Sequence, residues 1–109
     1  AGFAPDPANV EECLRLEKLD VLVFVYPIWF GTPPAMLKGY IERVVGSGIS
    51  FAHGAQDRKP LAEVRLVQIS TSASSKPWLS EQGVPGALHA IFDHYIAHVF
   101  GARKVDRLH

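Results

Sequence analysis

A chain of 109 residues has room for one domain and one hydrophobic core. Its composition, 48% hydrophobic and 20% charged, excludes the charge-rich, aromatic-poor make-up of a disordered chain. The 11 lysines and arginines balance 11 aspartates and glutamates, so no cationic surplus exists to neutralise a nucleic-acid backbone, and nucleic acid is excluded as a main partner.

In chain order the first element is a helix. Asp6-Pro7 offers a start with proline at the first helical position, and Asn9 with Glu12 offers a capping-box-like start slightly later. Either leads into Val10 to Lys18, where Val10, Cys13 and Leu14 share a face, Leu16 lies to one side, and Lys18 suits the negative end of the helix dipole. Cys13 is the only cysteine, so a free, buried or half-buried thiol is expected.

Val21 to Tyr26 follows with no polar alternation, is rich in β-branched and aromatic residues, and stops at Pro27; this predicts a central parallel strand covered on both faces. The apolar run continues only to Phe30, far short of the ~20 residues of a membrane span. No basic segment followed by an apolar one marks the N-terminus, so a cytoplasmic protein without a membrane span is expected. Thr32, Pro33 and Pro34 then open a helix in which Met36, Leu37, Tyr40, Ile41, Val44 and Val45 recur at helical spacing until Gly46 and Gly48 end it.

Residues 47–60 are rich in glycine and polar residues, with Ile49 and Phe51 alternating as in a short surface ribbon or ordered loop. Val64 to Ser70 predicts a second strand, with Val64, Leu66 and Gln68 on one face and Arg65, Val67 and Ile69 on the other. Thr71 to Ser75 is a loop of small, mostly hydroxyl-bearing residues. Pro85 to Phe100 carries Leu88, Ile91, Phe92, Tyr95, Ile96 and Val99 along one stripe, an amphipathic helix closed by Gly101, and Lys104 to Leu108 begins another strand. Helix, strand, helix, strand, helix, strand predicts an α/β fold with a parallel sheet, because parallel strands require crossover connections. The chain starts at Ala1 and stops at His109 just inside that last strand, so residues 1–109 are expected to be a single domain incomplete at both ends.

In an open parallel sheet, ligands bind beyond the carboxyl ends of the strands. Two loops stand out there. Pro27 to Pro34 puts Trp29 and Phe30 directly after a buried strand, with three prolines restricting the backbone, a rigid aromatic platform suited to a flat, polar-edged ring. Ser70 to Ser75 offers hydroxyls and lets a ligand approach the backbone closely. On residue chemistry alone, Trp29 and Phe30 either seat such a ring or cap the core, with the serines a solvated loop.

The run from Tyr26 to Val44, Tyr-Pro-Ile-Trp-Phe-Gly-Thr-Pro-Pro-Ala-Met-Leu-Lys-Gly-Tyr-Ile-Glu-Arg-Val, resembles the signature of the flavodoxin-like NAD(P)H:quinone oxidoreductases. The likeness extends with declining specificity through the later strand, its Thr-Ser loop and the approach to the last helix around Gly83. It implies a flavodoxin-like three-layer sandwich whose first strand and phosphate-binding loop are not found in residues 1–109. It also implies a flavin, FMN or FAD, against Pro27, Ile28, Trp29, Phe30 and Gly31, with Thr71, Ser72 and Ala73 along the other edge. The implied reaction is hydride transfer from NAD(P)H to a quinone or similar small acceptor in a homodimer, with Trp29, Phe30 and Trp78 as pocket wall or lid. The family places a tyrosine and a histidine as proton partners after the later strand, where this chain has Trp78 and Pro85, and the catalytic proton donor is left unassigned. The same fold also serves as a regulatory subunit of an ion-transport system with incidental reductase activity, and a flavin-free structural remnant is a third reading.

Other constellations are weaker. His94 and His98 lie one turn apart with His89 and Asp93 nearby, but no glutamate follows His94, and the expectation is no metal site. His53 has no identifiable partner in sequence. Gly46-Ser47-Gly48 reads as a helix stop, Ser70 and Ser72 lack the setting of a hydrolase nucleophile, and Glu42 and Arg43 read as a solvated helix face.

Overall fold

The computed structural model describes residues 7–47 and 59–109. The expected ribbon around Ile49 and Phe51, the helix stop at Gly48, and His53 lie outside the described residues.

A 3-10 turn, Pro7–Asn9, leads into α1, Val10–Leu16. Asn9 sits in the helical region and makes no side-chain cap, so the expected capping box does not form. The buried residue of α1 is Leu16 at 5% exposure, while Val10 and Leu14 are exposed and Cys13 is half-buried. The inward face therefore lies beside the expected stripe, and Cys13 Sγ points at the Val44 carbonyl, 3.8 Å away.

Strand β1, Val21–Pro27, is followed by α2, Ala35–Tyr40, which continues as a π-helical turn over Ile41–Val45. Strand β2, Arg65–Thr71, leads to α3, Lys76–Glu81. Then α4, Val84–Leu88, passes through a second π-helical stretch, His89–Tyr95, into α5, Ile96–Phe100, and β3, Lys104–Leu108, completes the order.

The three strands form one parallel sheet in the order β1-β2-β3, with Phe24 opposite Gln68 and Gln68 opposite Arg107. Alternation puts Leu22, Phe24, Tyr26, Leu66, Gln68, Ser70, Val105 and Arg107 on one face. That face meets the helices: the Phe24 and Tyr40 rings pack edge to face at 6.2 Å, and Gln68 Nε2 donates to the Phe92 carbonyl at 2.6 Å. Leu66, Tyr26, Ile41, Val45, Leu61 and Phe100 join the core.

The expectation of β1 as a central strand covered on both faces is corrected here. Among the described residues β2 is the middle strand, and Val21, Val23 and Val25 on the far face of β1 are 45%, 46% and 68% exposed. The valines follow the pattern of two-sided burial, but the described helices cover only the side of Phe24 and Tyr26.

The stripe on the last long helix is also redistributed. Leu88, Ile96 and Phe100 are buried and Phe92 and Val99 half-buried, but Ile91 and Tyr95 are exposed and Asp93 is 2% exposed. An i→i+5 stretch widens each turn and shifts the phase of the inward face, which a uniform 3.6-residue period does not anticipate. It carries Asp93 under the sheet.

Candidate functional site

The carboxyl ends of β1 and β2 are tied together, since Ile28 N–H donates to the Thr71 carbonyl at 2.7 Å. Beyond that tie the chain reverses tightly. Trp29 N–H donates to the Thr32 carbonyl at 2.9 Å and Thr32 N–H returns to the Trp29 carbonyl at 3.1 Å, so Phe30 and Gly31 form the corner. Both have positive φ, 51° and 85°, as in a type I′ turn. Glycine suits such a corner; phenylalanine is strained there, and its side chain projects wholly into solvent. Pro33 is buried and Pro34 sets the extended entry to α2, its carbonyl accepting from Leu37 and Lys38 at 3.0 and 3.2 Å.

Across from this turn is the bend after β2. Ser72 Oγ donates to the Ser74 carbonyl at 2.7 Å, and Ser75 caps α3 by accepting from Trp78 N–H at 3.4 Å, with Pro77 in the first turn. Between turn and bend lies a cleft of about 400 Å³, lined by Ile28, Phe30 and Gly31 on one side, Ser72 and Ser74 on the other, and Trp78, Leu79, Gln82 and Val84 from α3 and the start of α4. None of these side chains is charged. No hydrogen bond to another described residue engages the amides of Phe30, Gly31 or Ala73, so backbone donors are free on both walls. At Gly31 an added Cβ would stand 3.7 Å from Val84 Cγ2, an ordinary contact, so it is the φ of 85° rather than space that calls for glycine there.

Of the residues singled out in sequence, the cleft gathers Ile28, Phe30, Gly31, Ser72 and Trp78. Pro27 ends β1 opposite Thr71, which ends β2 and is exposed, Ala73 is exposed on the bend, and Trp29 is 61% exposed outside the cleft lining. Leu79, Gln82 and Val84 were not anticipated, because α3 was not; Ser75 followed by Pro77 was the available signal for its start.

Behind the bend is a polar network that the sequence reading did not foresee. Asp93 takes the Arg107 guanidinium through both carboxylate oxygens, 2.9 and 2.8 Å from Nε. Arg107 also donates to the Tyr26 hydroxyl at 2.5 Å and to Ser70 Oγ at 3.2 Å. Ser70 Oγ in turn meets His109 Nδ1 at 2.9 Å, and His109 Nε2 lies 3.3 Å from Ser72 Oγ at the cleft wall. Burial pushes the Tyr26 phenol above its ordinary range despite the Arg107 cation, and it raises the Tyr40 phenol likewise. Burial works against the Arg107 charge, but its bonds to Asp93 and Tyr26 outweigh that and hold the guanidinium charged.

His94 and His98 stack with ring centroids 6.3 Å apart, while Asp93 is turned away from them into the ion pair. Among the described residues no three histidine, cysteine or carboxylate groups gather as a metal site, and no helix is long and apolar enough to cross a membrane.

Residues 2–109 match the flavodoxin-like fold family. The chain belongs to that family. Its flavodoxin-like sheet superposes on an NAD(P)H:quinone oxidoreductase from Methanothermobacter marburgensis with a TM-score of 0.77 over 98% of this chain and 52% of that one, at 22% identity. In sequence it is 34% identical to NAD(P)H dehydrogenase [quinone] 1 of Cavia porcellus over 87 residues, 78% of this chain and 31% of the relative. It is also 26% identical to an FMN-dependent NADH:quinone oxidoreductase of Ruminiclostridium cellulolyticum over 104 residues, 91% of this chain and 47% of the relative. This flavodoxin-like chain thus spans between about a third and a half of these relatives' length.

Proposed function

We propose that the protein is a flavin-dependent oxidoreductase that passes hydride from NAD(P)H to a quinone or similar small acceptor. The observation that carries this reading is the uncharged cleft at the carboxyl ends of β1 and β2, walled by an aromatic turn with free amides and by a serine bend. Such a lining fits a flat heteroaromatic ring, apolar on its faces and hydrogen-bonding at its edge. The names of the relatives, quinone oxidoreductases with one described as FMN-dependent, support the same substrate and cofactor classes.

A bound FMN or FAD would supply the hydride relay that no side chain here offers. The ring would rest on the turn from Pro27 to Gly31, Trp29 flanking it, with Thr71, Ser72 and Ala73 along its edge. The amides of Phe30 and Gly31 would donate to its polar edge, where they need no reorganisation. Phe30 and Trp78 would form the walls that hold nicotinamide and quinone in turn at stacking distance and exclude water. We place the protein in the cytoplasm as a homodimer, in which the exposed Phe30 and Trp78 would face the partner.

Two variants of the full-length protein test this. Gly31→Val adds a β-branched side chain at φ 85° and toward Val84, and lowers flavin affinity at least tenfold, read by quenching of flavin fluorescence. Trp78→Ala raises KM for the quinone about tenfold, the loss of one stacked aromatic wall, with flavin affinity within about twofold. A parent protein that binds neither FMN nor FAD overturns the reading.

A further inference from the structure

Reduction of a quinone by hydride leaves an oxyanion that needs one proton, yet no side chain lining the cleft ionises near neutral pH. Resting on the function proposed above, we infer that Ser72 and His109 are the proton-delivering pair of this site. The hydrogen bonds around them have a direction. Ser72 Oγ gives its proton to the Ser74 carbonyl at 2.7 Å, so the lone pairs of Ser72 face His109 Nε2 at 3.3 Å, which must carry a hydrogen. On the other side Arg107 Nη1 donates to Ser70 Oγ at 3.2 Å, leaving the Ser70 proton for His109 Nδ1 at 2.9 Å. These hydrogen bonds make the resting ring the Nε2–H tautomer, aimed at a hydroxyl on the cleft wall, and His109 is exposed to solvent.

The step balances as follows. Hydride addition converts the quinone to its hydroquinone monoanion. Solvent first adds a proton at Nδ1 of the exposed imidazole; the Ser72 hydroxyl then rotates from the Ser74 carbonyl to the anionic oxygen and gives up its proton, and the Nε2–H of the resulting imidazolium replaces it. The products are a neutral hydroquinone and a neutral imidazole bearing its hydrogen on Nδ1, against which Ser70 Oγ uses its second lone pair. Exchange with solvent then adds a proton at Nε2 and removes the one on Nδ1, restoring the resting tautomer. The charged and titratable groups of the network behind Ser70 are Arg107 on β3, Asp93 on the helix beneath with His89 3.8 Å from it, and Tyr26 on β1; Asp93 already pairs with Arg107 at 2.8 Å, so the guanidinium that meets Ser70 is not an unpaired cation.

The test separates the two half-reactions of the flavin-loaded full-length protein by stopped flow. His109→Gln slows oxidation by quinone about a hundredfold, while reduction by NAD(P)H changes less than twofold. Free imidazole restores the quinone step in His109→Ala, a rescue that a structural role for the ring would not permit. Ser72→Ala slows the same step, and in the cofactor-free protein it moves the Nε2 nitrogen resonance of His109, which starts as the Nε2–H tautomer. A quinone step in His109→Gln as fast as the parent's, no rescue by imidazole, or an Nδ1–H resting tautomer overturns the inference and leaves the oxidoreductase reading standing. A parent protein with neither half-reaction overturns both.

Discussion

Phe30 is the residue where function and stability pull apart. An aromatic side chain at φ 51° is an unfavourable choice for a turn corner, and here it makes no compensating burial because its side chain is fully exposed. Strain of this kind persists where a side chain is needed in a particular direction, and Phe30 stands at the cleft wall. Replacing it with asparagine, which tolerates left-handed backbone, is expected to raise the unfolding free energy by about 1 kcal/mol in urea titrations while weakening ring binding. A neutral or negative effect on stability would show that the turn is not strained. Tyr26 and Tyr40 give a pH signature. Burial raises both phenols above the value of about 10 that they have in the unfolded chain. Below that value both states hold the proton and the stabilisation is complete; above it the unfolded chain ionises first, so stability falls as pH rises through the folded-state values. The urea midpoint is therefore expected to drop between about pH 8 and about pH 11, and Tyr26→Phe to remove part of that drop. Equal midpoints in parent and variant would contradict this assignment.

At the level of elements, the strands and the long helices were legible because their signals are local. The unbroken apolar run marked β1 within a residue of its end, and Gly101, with φ 76°, closes α5 as a left-handed cap. An added Cβ at Gly101 would stand 2.8 Å from Lys59 Cβ, so Gly101→Ala combines backbone strain with a close contact. It is expected to lower stability by more than about 1 kcal/mol, measured as a fall in Tm, and an unchanged Tm would mean that this turn relaxes freely. The π-helical stretch was not legible, since nothing in an apolar stripe announces a wider turn, and with it went the inward turn of Asp93. Gln68 answers that stretch: buried on the middle strand, it donates to the Phe92 carbonyl within it. The short helix α3 is not legible as a pattern because its six residues carry no full amphipathic period, although Ser75 and Pro77 mark its start.

For the whole molecule, connectivity was the most readable property. Alternating helix and strand signals required parallel pairing, and the observed order β1-β2-β3 places every described crossover so that the helices meet the face of Phe24 and Gln68. The two cleft walls were legible too, as loops at strand ends; what joins them to a buried charge network was not. Tyr26, Ser70, Asp93, Arg107 and His109 are spread over 84 positions of sequence and meet through the sheet register, which sets Tyr26 beside Ser70 and Arg107 opposite Gln68, with His109 just past the end of β3 reaching Ser70 Oγ. The exposed valine face of β1 is the counterpart: a sequence written for burial on both sides, covered on one among the described residues. The proposed chemistry sits in the cleft between the Ile28–Gly31 turn and the serine bend, and a crystal structure of the full-length protein with FMN bound tests that most directly. The account predicts the isoalloxazine ring against the backbone of Ile28 to Gly31, with its polar edge toward Ser72; a ring held elsewhere, with this cleft empty, would contradict it.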